Sequence, residues 1–432
     1  MGAKRSIGIG LMGLGVVGSG VARALLEKDR TLAKEIGCSL ALKKVLVRDL
    51  AKPRSVSVDS TLLTLDPQEL LAEPEIDIVI EVIGGEHPAL EYTKEALLRG
   101  KHIVTANKEV VAKHGADLLK TAQENGVAIL YEASVGGGIP LVLPLHHGLL
   151  ANRITTMYAI INGTTNYILT RMSSEGVSFD VALKKAQELG YAEADAANDI
   201  EGRDAAYKLA ILATVAFHTV VRPEDIYRQG ISSLSQQDFR YAKELGYEIK
   251  LLAIGKQGDG SVEVRVHPAF IPMEFLLAKV DGVYNAVQIE GDLVGKLIFY
   301  GRGAGAEPTA SAIVSDVIAA GRAICSGEKG GIRPRSPEPV PIKPISELET
   351  GYYLRMSIAD RPGVLAQIAR VLGDHSISIA SVIQKEADDL TQTAEIVLMT
   401  HPAREQFMQQ SLSEMEKLSV VKEVCSLIRV EE

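Results

Sequence analysis

The stretch Ile7-Gly-Ile-Gly-Leu-Met-Gly13-Leu-Gly15-Val-Val-Gly18 decides the fold of the first part of this chain. Its apolar half (7–12) predicts a buried strand, and the residues that follow (16–26) predict a helix. A G-x-G-x-x-G turn between a strand and a helix is the fingerprint of dinucleotide binding: its glycines permit the tight turn, the approach of a pyrophosphate and close helix packing. We therefore expect the cofactor phosphates at this helix N-terminus, held by Gly13, Leu14, Gly15, Val16, Val17 and Gly18.

Strands and helices alternate through the rest of the first 150 residues, which is typical of a doubly wound, Rossmann-type parallel sheet. Further strands are predicted at 42–47, 76–83, 102–105 and 127–131, with helices at 88–99 and 110–125. The pattern then changes to a mixed α+β domain over 151–304, expected to bind substrate and to form a dimer. A helix within 305–330 is expected to return to the dinucleotide-binding domain (1–150).

A proline-rich segment follows, with five prolines in residues 333–344. Such a composition favours an extended linker, here placed at 331–350. Residues 351–432 then show strands and helices in the order βαββαβ, which is the ferredoxin-like order. We expect this part to be a module tethered by the linker and separate from the catalytic core.

Composition excludes several classes of protein. The 432 residues carry a net charge of −9, which argues against general nucleic-acid binding, since that needs a basic face. The three cysteines, Cys38, Cys325 and Cys425, lie far apart without C-x-x-C spacing. This spacing suggests neither a disulfide framework nor a zinc site, and it fits a reducing cytoplasm. With no signal peptide recognised and no apolar run of about 18 residues, no membrane span is expected.

An acidic run, Gly190–Lys208, leads directly into an apolar helix. Asp204 and Lys208 are four residues apart, so a helix places them on one face. The residues after them are apolar almost all round, which is typical of a buried helix, and a buried carboxylate or ammonium is costly unless it is paired or used. The alternative is an ordinary surface ion pair.

Two strand ends carry cations where ligands bind in such sheets. Arg48 follows the second strand, with Lys52 and Arg54 nearby, and this favours NADP over NAD because a guanidinium can accept the 2′-phosphate; a solvated strand end is the alternative. The segment Val104–Lys108 ends another strand, which places Thr105 and Lys108 at the cofactor crevice; an ordinary surface lysine is the alternative for Lys108. The glycine run Glu132–Pro140 is either a tight turn between domains or a set of carbonyls suited to a hard cation.

Taken together, these motifs resemble those of homoserine dehydrogenases, in the family order over residues 5–325. The resemblance rests on Gly13–Gly18, Val104–Lys108, Glu132–Pro140, Asn162–Ile168, Gly190–Lys208 and Gly301–Ala310. It implies NADP-dependent (NAD possible), reversible interconversion of L-homoserine and L-aspartate 4-semialdehyde in threonine, methionine and isoleucine biosynthesis.

The resemblance also implies roles for individual residues. Lys208 would be the acid–base group with Asp204 as its partner, and Lys108 would lie near the nicotinamide. Glu193 and Asp199 would bind the substrate, and Gly305 would close over the cofactor. A Na⁺ or K⁺ ion would be held by Glu132 and by the backbone at Val135, Gly137 and Ile139.

Residues 351–432, with Asp360-Arg-Pro-Gly363-Val364-Leu, resemble an ACT domain, a module that senses amino acids. We expect Asp360, Gly363 and Val364 to bind an effector, which by the resemblance is L-threonine. A dimerisation module without a ligand is the alternative. The resemblance implies a homo-oligomer and leaves dimer and tetramer open.

Two other functions are compatible with parts of the sequence. A phosphorylating semialdehyde dehydrogenase would need a nucleophilic cysteine in the catalytic domain, and neither Cys38 nor Cys325 is well placed for that. A non-catalytic sensor of nucleotides and amino acids would not need the Asp204 and Lys208 pair.

Overall fold

The computed structural model describes residues 6–327, 339–388 and 392–432. The strands are β1 (Ser6–Met12), β2 (Ser39–Leu46), β3 (Leu63–Thr64), β4 (Ile78–Glu81), β5 (His102–Thr105), β6 (Ile129–Leu130), β7 (Ile154–Ile160), β8 (Tyr227–Arg228), β9 (Tyr247–Gly258), β10 (Ser261–Pro272), β11 (Tyr284–Gly291), β12 (Gly295–Arg302), β13 (Glu349–Ala359), β14 (Ile379–Asp388), β15 (Thr393–Thr400), β16 (Ala403–Arg404) and β17 (Val421–Val430).

The helices are α1 (Val16–Glu27), α2 (Asp29–Ile36), α3 (Pro67–Leu71), α4 (Ala89–Leu98), α5 (Lys108–Glu124), α6 (Gly163–Glu175), α7 (Phe179–Glu188), α8 (Ala197–Ile200), α9 (Arg203–Phe217), α10 (Gln236–Glu244), α11 (Ala306–Ser326), α12 (Val364–Asp374) and α13 (Glu405–Met415). The chain divides into two compact units. Unit 1 comprises Met1–Thr155, Tyr207–Glu224 and Ile289–Val340, and unit 2 comprises Thr156–Ala206, Asp225–Gln288 and Pro341–Glu432.

Unit 1 contains a parallel sheet in the order β3-β2-β1-β4-β5-β6. This is the doubly wound order predicted from the sequence, and the strand order reverses between β1 and β4. Apolar residues of β1, α1 and α11 share one core. The carboxyl ends of β1 and β4 therefore form the crevice where such folds bind ligands.

Helix α11 is, among the described residues, long and apolar enough to cross a membrane by length and composition alone. More than half of it is buried, and Ile313, Val317 and Ala320 lie in the core of unit 1. The core helix of a folded domain meets the same criterion of length and composition, and the burial of α11 is typical of such a core helix.

The expectation of no disulfide is wrong for one pair, because Cys38 and Cys325 are bonded across 287 residues of sequence. Cys38 directly precedes β2, and Cys325 lies in the last turn of α11, which packs in the same core. The sequence spacing contained no sign of this pairing because only the packing of α11 brings the two together. Location in the cytoplasm stays a prediction.

Unit 2 contains a mixed sheet in which the strands follow the order β11-β7-β9-β10-β17-β13-β15-β14. The C-terminal part has the predicted βαββαβ order, with β17 and β15 on either side of β13. Its apolar core lies between this sheet and the helices α12 and α13.

The expectation of a tethered C-terminal module is wrong, because β17 pairs in parallel with β10 at Ala269 and Phe270 and continues the same sheet. Part of the predicted linker (331–338) lies outside the described residues. Beyond it, the Val262 N–H donates to the carbonyl of Pro341, and the Lys343 N–H donates to the carbonyl of Val262. At Ile342 the chain is extended, as the composition predicts, and pairs with Val262, but the composition does not indicate the strand on which the chain lies.

Candidate active site

The glycine turn of unit 1 has the geometry that the fingerprint requires. Gly13 has φ +100°, and its N–H donates to the carbonyl of Leu46 at 2.9 Å. A Cβ at Gly18 would lie 2.1 Å from the carbonyl oxygen of Gly13, so only glycine allows the helix to start here. A Cβ at Gly15, by contrast, would meet nothing within 4 Å, which leaves space for a ligand against the backbone.

The start of α1 supports the same interpretation. Val16 is 75% exposed although it is apolar, whereas Leu14 is buried and Val17 is half-buried. The free N–H groups of this first turn and the helix dipole favour an anion. The turn therefore fits a dinucleotide pyrophosphate.

Arg48 lies exposed just beyond the end of β2. In the loop that follows, the guanidinium of Arg54 donates to the carbonyls of Asp49, Leu50 and Lys52. The Asp49 carboxylate accepts the N–H of Ala51 at 2.8 Å. In this loop the Arg54 guanidinium is therefore bound to backbone carbonyls, and Arg48 presents an exposed guanidinium at the strand end where the ribose of a dinucleotide binds in such folds.

The segment that presents Lys108 is organised by Glu81, a residue that the sequence did not single out. Thr105 Oγ1 donates to the fully buried Glu81 carboxylate at 2.7 Å, and the Asn107 N–H donates to Thr105 Oγ1 at 3.0 Å. Burial raises the pKa of Glu81 against these hydrogen bonds. Lys108 itself is half-buried at the first position of α5, and the Asn107 side chain caps this helix. The signal in the sequence was an acid at the end of a strand that is otherwise apolar.

Glu132 is buried and holds a turn of backbone. Its carboxylate accepts the N–H groups of Leu141 (2.6 Å), Val142 (3.0 Å) and Leu143 (2.6 Å), and its own N–H donates to Asp316 Oδ2 at 2.9 Å. Burial raises the pKa of Asp316 well above its ordinary value, and the Glu132 charge adds to this rise. Two carboxyl groups therefore lie close together in the core of unit 1.

The other residues of the predicted cation site follow in the same glycine run. Val135 and Ile139 are buried, and Gly137 has φ +57°. A Cβ at Gly137 would lie 2.5 Å from the carbonyl oxygen of Gly303. This run thus packs directly on the loop that ends at Gly305, the N-cap of α11 with φ +126°. Within the described residues no cluster of three or more His, Cys, Asp and Glu side chains could hold a metal ion, and backbone carbonyls would have to contribute.

In unit 2 a single amide joins two predicted site residues. Asn162 Nδ2 donates to Asp199 Oδ1 at 2.7 Å and to Asp204 Oδ2 at 2.9 Å. Asn162 Oδ1 accepts the N–H of Thr165 at 2.9 Å and so caps α6. Asn162 belongs to the motif Asn162–Ile168, for which no individual role was predicted, and its position before a helix was the available signal.

The predicted substrate residues differ in exposure. Glu193 is exposed, Asp199 is half-buried, and Asp204 is 5% exposed at the start of α9. No hydrogen bond brings Glu193 to the Asn162 cluster among the described contacts, whereas Asp199 and Asp204 are joined through it.

Helix α9 is buried along most of its length, as its apolar composition predicted. It starts in unit 2 at Arg203 and continues into unit 1 with Tyr207 and the half-buried Lys208. Within unit 1, the Lys113 ammonium lies 5.7 Å from the centre of the Tyr207 ring and 2.6 Å from Glu86.

The predicted effector residues lie after β13. Asp360 and Gly363 are exposed, whereas the Val364 side chain is buried in the core, so Val364 could contribute only its backbone. Gly363 is the N-cap of α12 with φ +88°, and a Cβ there would meet nothing within 4 Å.

Comparison with known proteins gives a consistent result over the whole chain. Family models match for homoserine dehydrogenase over residues 140–318, for the NAD binding domain of homoserine dehydrogenase over 13–132, and for the ACT domain over 352–419. Homoserine dehydrogenase of Synechocystis sp. is 45% identical, covering 98% of this chain and 99% of that protein.

Solved structures agree. A homoserine dehydrogenase from Thiobacillus denitrificans has a TM-score of 0.93 and 43% identity, covering 99% of this chain and 98% of its own. A hyperthermophilic archaeal homoserine dehydrogenase in complex with NADPH has a TM-score of 0.62 and 29% identity, covering 73% of this chain and 97% of its own.

Proposed function

The chain belongs to the homoserine dehydrogenase family, and from this premise we propose that it interconverts L-homoserine and L-aspartate 4-semialdehyde with NADP as the preferred cofactor. It is an oxidoreductase that acts on a CH–OH group and binds a nicotinamide cofactor. The observation that carries the proposal is the pair Asp199 and Asp204, joined by Asn162 at the start of the helix that carries Lys208. The Asp199 carboxylate suits the ammonium group of an amino-acid substrate, and Asp204 lies one helical turn before Lys208, where it can act as the partner of that ammonium.

The bound nicotinamide would supply or accept the hydride. Lys208 would protonate the substrate oxygen as it gains negative charge during reduction, and would take this proton back during oxidation. Asp204 would orient Lys208 along the helix, and Lys108 would stabilise the same oxygen. Asp199 and Glu193 would bind the substrate ammonium.

Arg48 would bind the 2′-phosphate of NADP, with Thr105 and Gly305 lining the cofactor. The exposure of Arg48 at the strand end supports this choice. Glu132, with the backbone at 135, 137 and 139, would hold a monovalent cation. Oxygen ligands suit hard cations, and the ion would offset the charge of the buried Glu132 carboxylate.

The test is a spectrophotometric assay of NADPH formation with L-homoserine, on the parent enzyme and on Lys208→Ala. We expect turnover to fall about 10²–10⁴-fold in the variant while NADP binding and the unfolding temperature stay unchanged. Turnover within a few-fold of the parent would refute the role of Lys208, and a parent that leaves L-homoserine unchanged would refute the reaction.

The phosphorylating dehydrogenase is disfavoured by the cysteines, all of which lie in the described residues. Cys38 and Cys325 are bonded to each other, and burial raises the pKa of Cys425 on β17. A nucleophilic cysteine needs the opposite, a lowered thiol pKa.

We also propose a cellular location, an oligomeric state, a pathway and a regulator for this enzyme. The enzyme would act in the cytoplasm as a homodimer or homotetramer in the synthesis of threonine, methionine and isoleucine. L-Threonine would bind at the loop Asp360–Val364 and inhibit it, and the open space at Gly363 supports a ligand there. Regulation then requires that threonine bind one arrangement of the protein better than another.

A further inference from the structure

A buried guanidinium lies where the C-terminal strand β17 meets the rest of unit 2. Arg429 is 1% exposed. Its Nε and Nη2 donate to the two carboxylate oxygens of Glu405 at 2.8 and 2.5 Å, and Tyr352 Oη donates to the same carboxylate. A buried charge is tolerated only when it is paired in this way. Glu405 therefore fixes the position of Arg429 within the C-terminal part.

Arg429 also contacts a segment outside the C-terminal part. Its Nη1 donates to Gln229 Oε1 at 2.9 Å, and its Nη2 donates to Tyr227 Oη at 3.2 Å. The guanidinium carbon lies 4.8 Å from the centre of the Tyr227 ring. Both ends of the short segment 227–229 are thus held by one side chain of β17.

This segment contacts the turn that begins at the substrate carboxylate Asp199, residues 199–202, here called the acid loop. The Ile231 N–H donates to the carbonyl of Ile200 at 2.9 Å. A Cβ at Gly230 would lie 2.5 Å from the same carbonyl oxygen, so the two backbones touch. Ile200 directly follows Asp199, which Asn162 joins to Asp204.

From these contacts we propose that Arg429 and Gln229 are positioning residues, through which the C-terminal sheet sets the acid loop in its substrate-binding geometry. This inference rests on the proposed function. Glu405 and β17 hold Arg429, Arg429 holds Gln229, and the backbone at 230–231 holds Ile200 and the substrate carboxylate beside it. A displacement of about 1 Å at a binding group costs as much as 10²-fold in activity.

The sharpest test cuts the link at Gln229, because the Arg429–Glu405 pair then stays intact. Gln229→Met keeps the length of the side chain and removes the acceptor, whereas Gln229→Glu keeps an acceptor. Tyr353→Phe is the matched control: it removes one buried hydrogen bond, 3.1 Å from Tyr353 Oη to Asp238, which joins the C-terminal sheet to α10 instead of the acid loop.

The full-length enzymes are compared by separate KM values for L-homoserine and NADP and by kcat. For Gln229→Met we expect the KM for homoserine to rise roughly fivefold or more, with the KM for NADP and kcat within about twofold, as loss of substrate binding alone requires. Gln229→Glu and Tyr353→Phe should keep the parent KM for homoserine. The unfolding temperature should fall in both Gln229→Met and Tyr353→Phe, since each loses one hydrogen bond, a part-buried one at Gln229 and a buried one at Tyr353.

An unchanged KM for homoserine in Gln229→Met would overturn the inference, as would an equal rise in Tyr353→Phe, which would indicate a general loosening of unit 2. These results presuppose a parent enzyme that oxidises homoserine. A parent without that activity refutes the proposed function, and this inference with it, whereas an active parent with an insensitive Gln229→Met refutes the inference alone.

Discussion

Replacement of Asn162 by serine separates the two tasks of this residue. A serine oxygen still caps α6 through the Thr165 N–H, because Ser is as good an N-cap as Asn. The hydroxyl is too short and has too few hydrogens to donate to both carboxylates that Asn162 Nδ2 reaches, Asp199 at 2.7 Å and Asp204 at 2.9 Å. The variant therefore keeps the helix and loses the bridge.

The expected magnitude follows from these contacts. A hydrogen bond to a charged group contributes about 1.5–3 kcal/mol, and about 1.4 kcal/mol corresponds to a factor of ten. If one of the two bonds is needed to hold substrate in the transition state, kcat/KM for L-homoserine falls roughly 10- to 150-fold. Because Asp204 is buried, we also expect the free energy of unfolding to fall by about 1–3 kcal/mol.

The assay is NADPH formation at varied L-homoserine, with circular dichroism to show that the variant is folded at the assay temperature. Thr165→Val is the control, since within the described part of the chain the Thr165 hydroxyl hydrogen-bonds to the Asn162 carbonyl and to Asn162 Oδ1, both at 3.1 Å, and to neither carboxylate. We expect kcat/KM of Thr165→Val for L-homoserine to stay within about threefold of the parent value, because loss of the Thr165 hydroxyl removes no hydrogen bond to either carboxylate. A folded Asn162→Ser enzyme with the kcat/KM of the parent would refute the bridge as a functional element.

Three further predictions concern other parts of the chain. Arg48→Ala should raise the KM for NADP by roughly tenfold or more and that for NAD much less, because only NADP has a 2′-phosphate for a charge-assisted bond; equal changes for both cofactors would count against Arg48. Gly363→Asp should abolish inhibition by L-threonine, because a carboxylate in the open space at this helix N-terminus repels that of the ligand, and inhibition curves like those of the parent would exclude the site. Burial, with Arg429 and Arg265 nearby, lowers the pKa of His267 to about 3. Below about pH 6.5 the unfolded chain therefore binds a proton at this histidine that the folded protein does not bind. As the pH drops towards 3, the free energy of unfolding should fall by up to about 1.4 kcal/mol per pH unit. His267→Gln should flatten that slope in urea unfolding between pH 6.5 and 4, and an unaltered slope would show that this histidine does not cause it.

The sequence by itself determined the elements and the local chemistry. Glycine spacing and apolar periodicity predicted β1, the turn at Gly13 and α1, since both depend on neighbours in the chain. The βαββαβ order of residues 351–432 and the buried character of α9 were predicted for the same reason. The resemblance carried by the motifs predicted the family, which the comparisons confirm, and the roles of the individual site residues stay predictions.

Only the tertiary structure decided how distant segments combine. The sequence placed Asn162 before a helix and Glu81 at a strand end, but it did not show their partners. Only the folded chain shows that Asn162 joins Asp199 to Asp204, that Glu81 accepts the Thr105 hydroxyl, and that Cys38 meets Cys325. The sequence also suggested a tethered C-terminal module, whereas β17 extends the sheet of unit 2 beside β10. Each of these contacts joins residues far apart in the chain, and the geometry that creates them comes from the packing of whole sheets and helices. Local periodicity does not encode that packing, which is why these features became visible only in the folded protein.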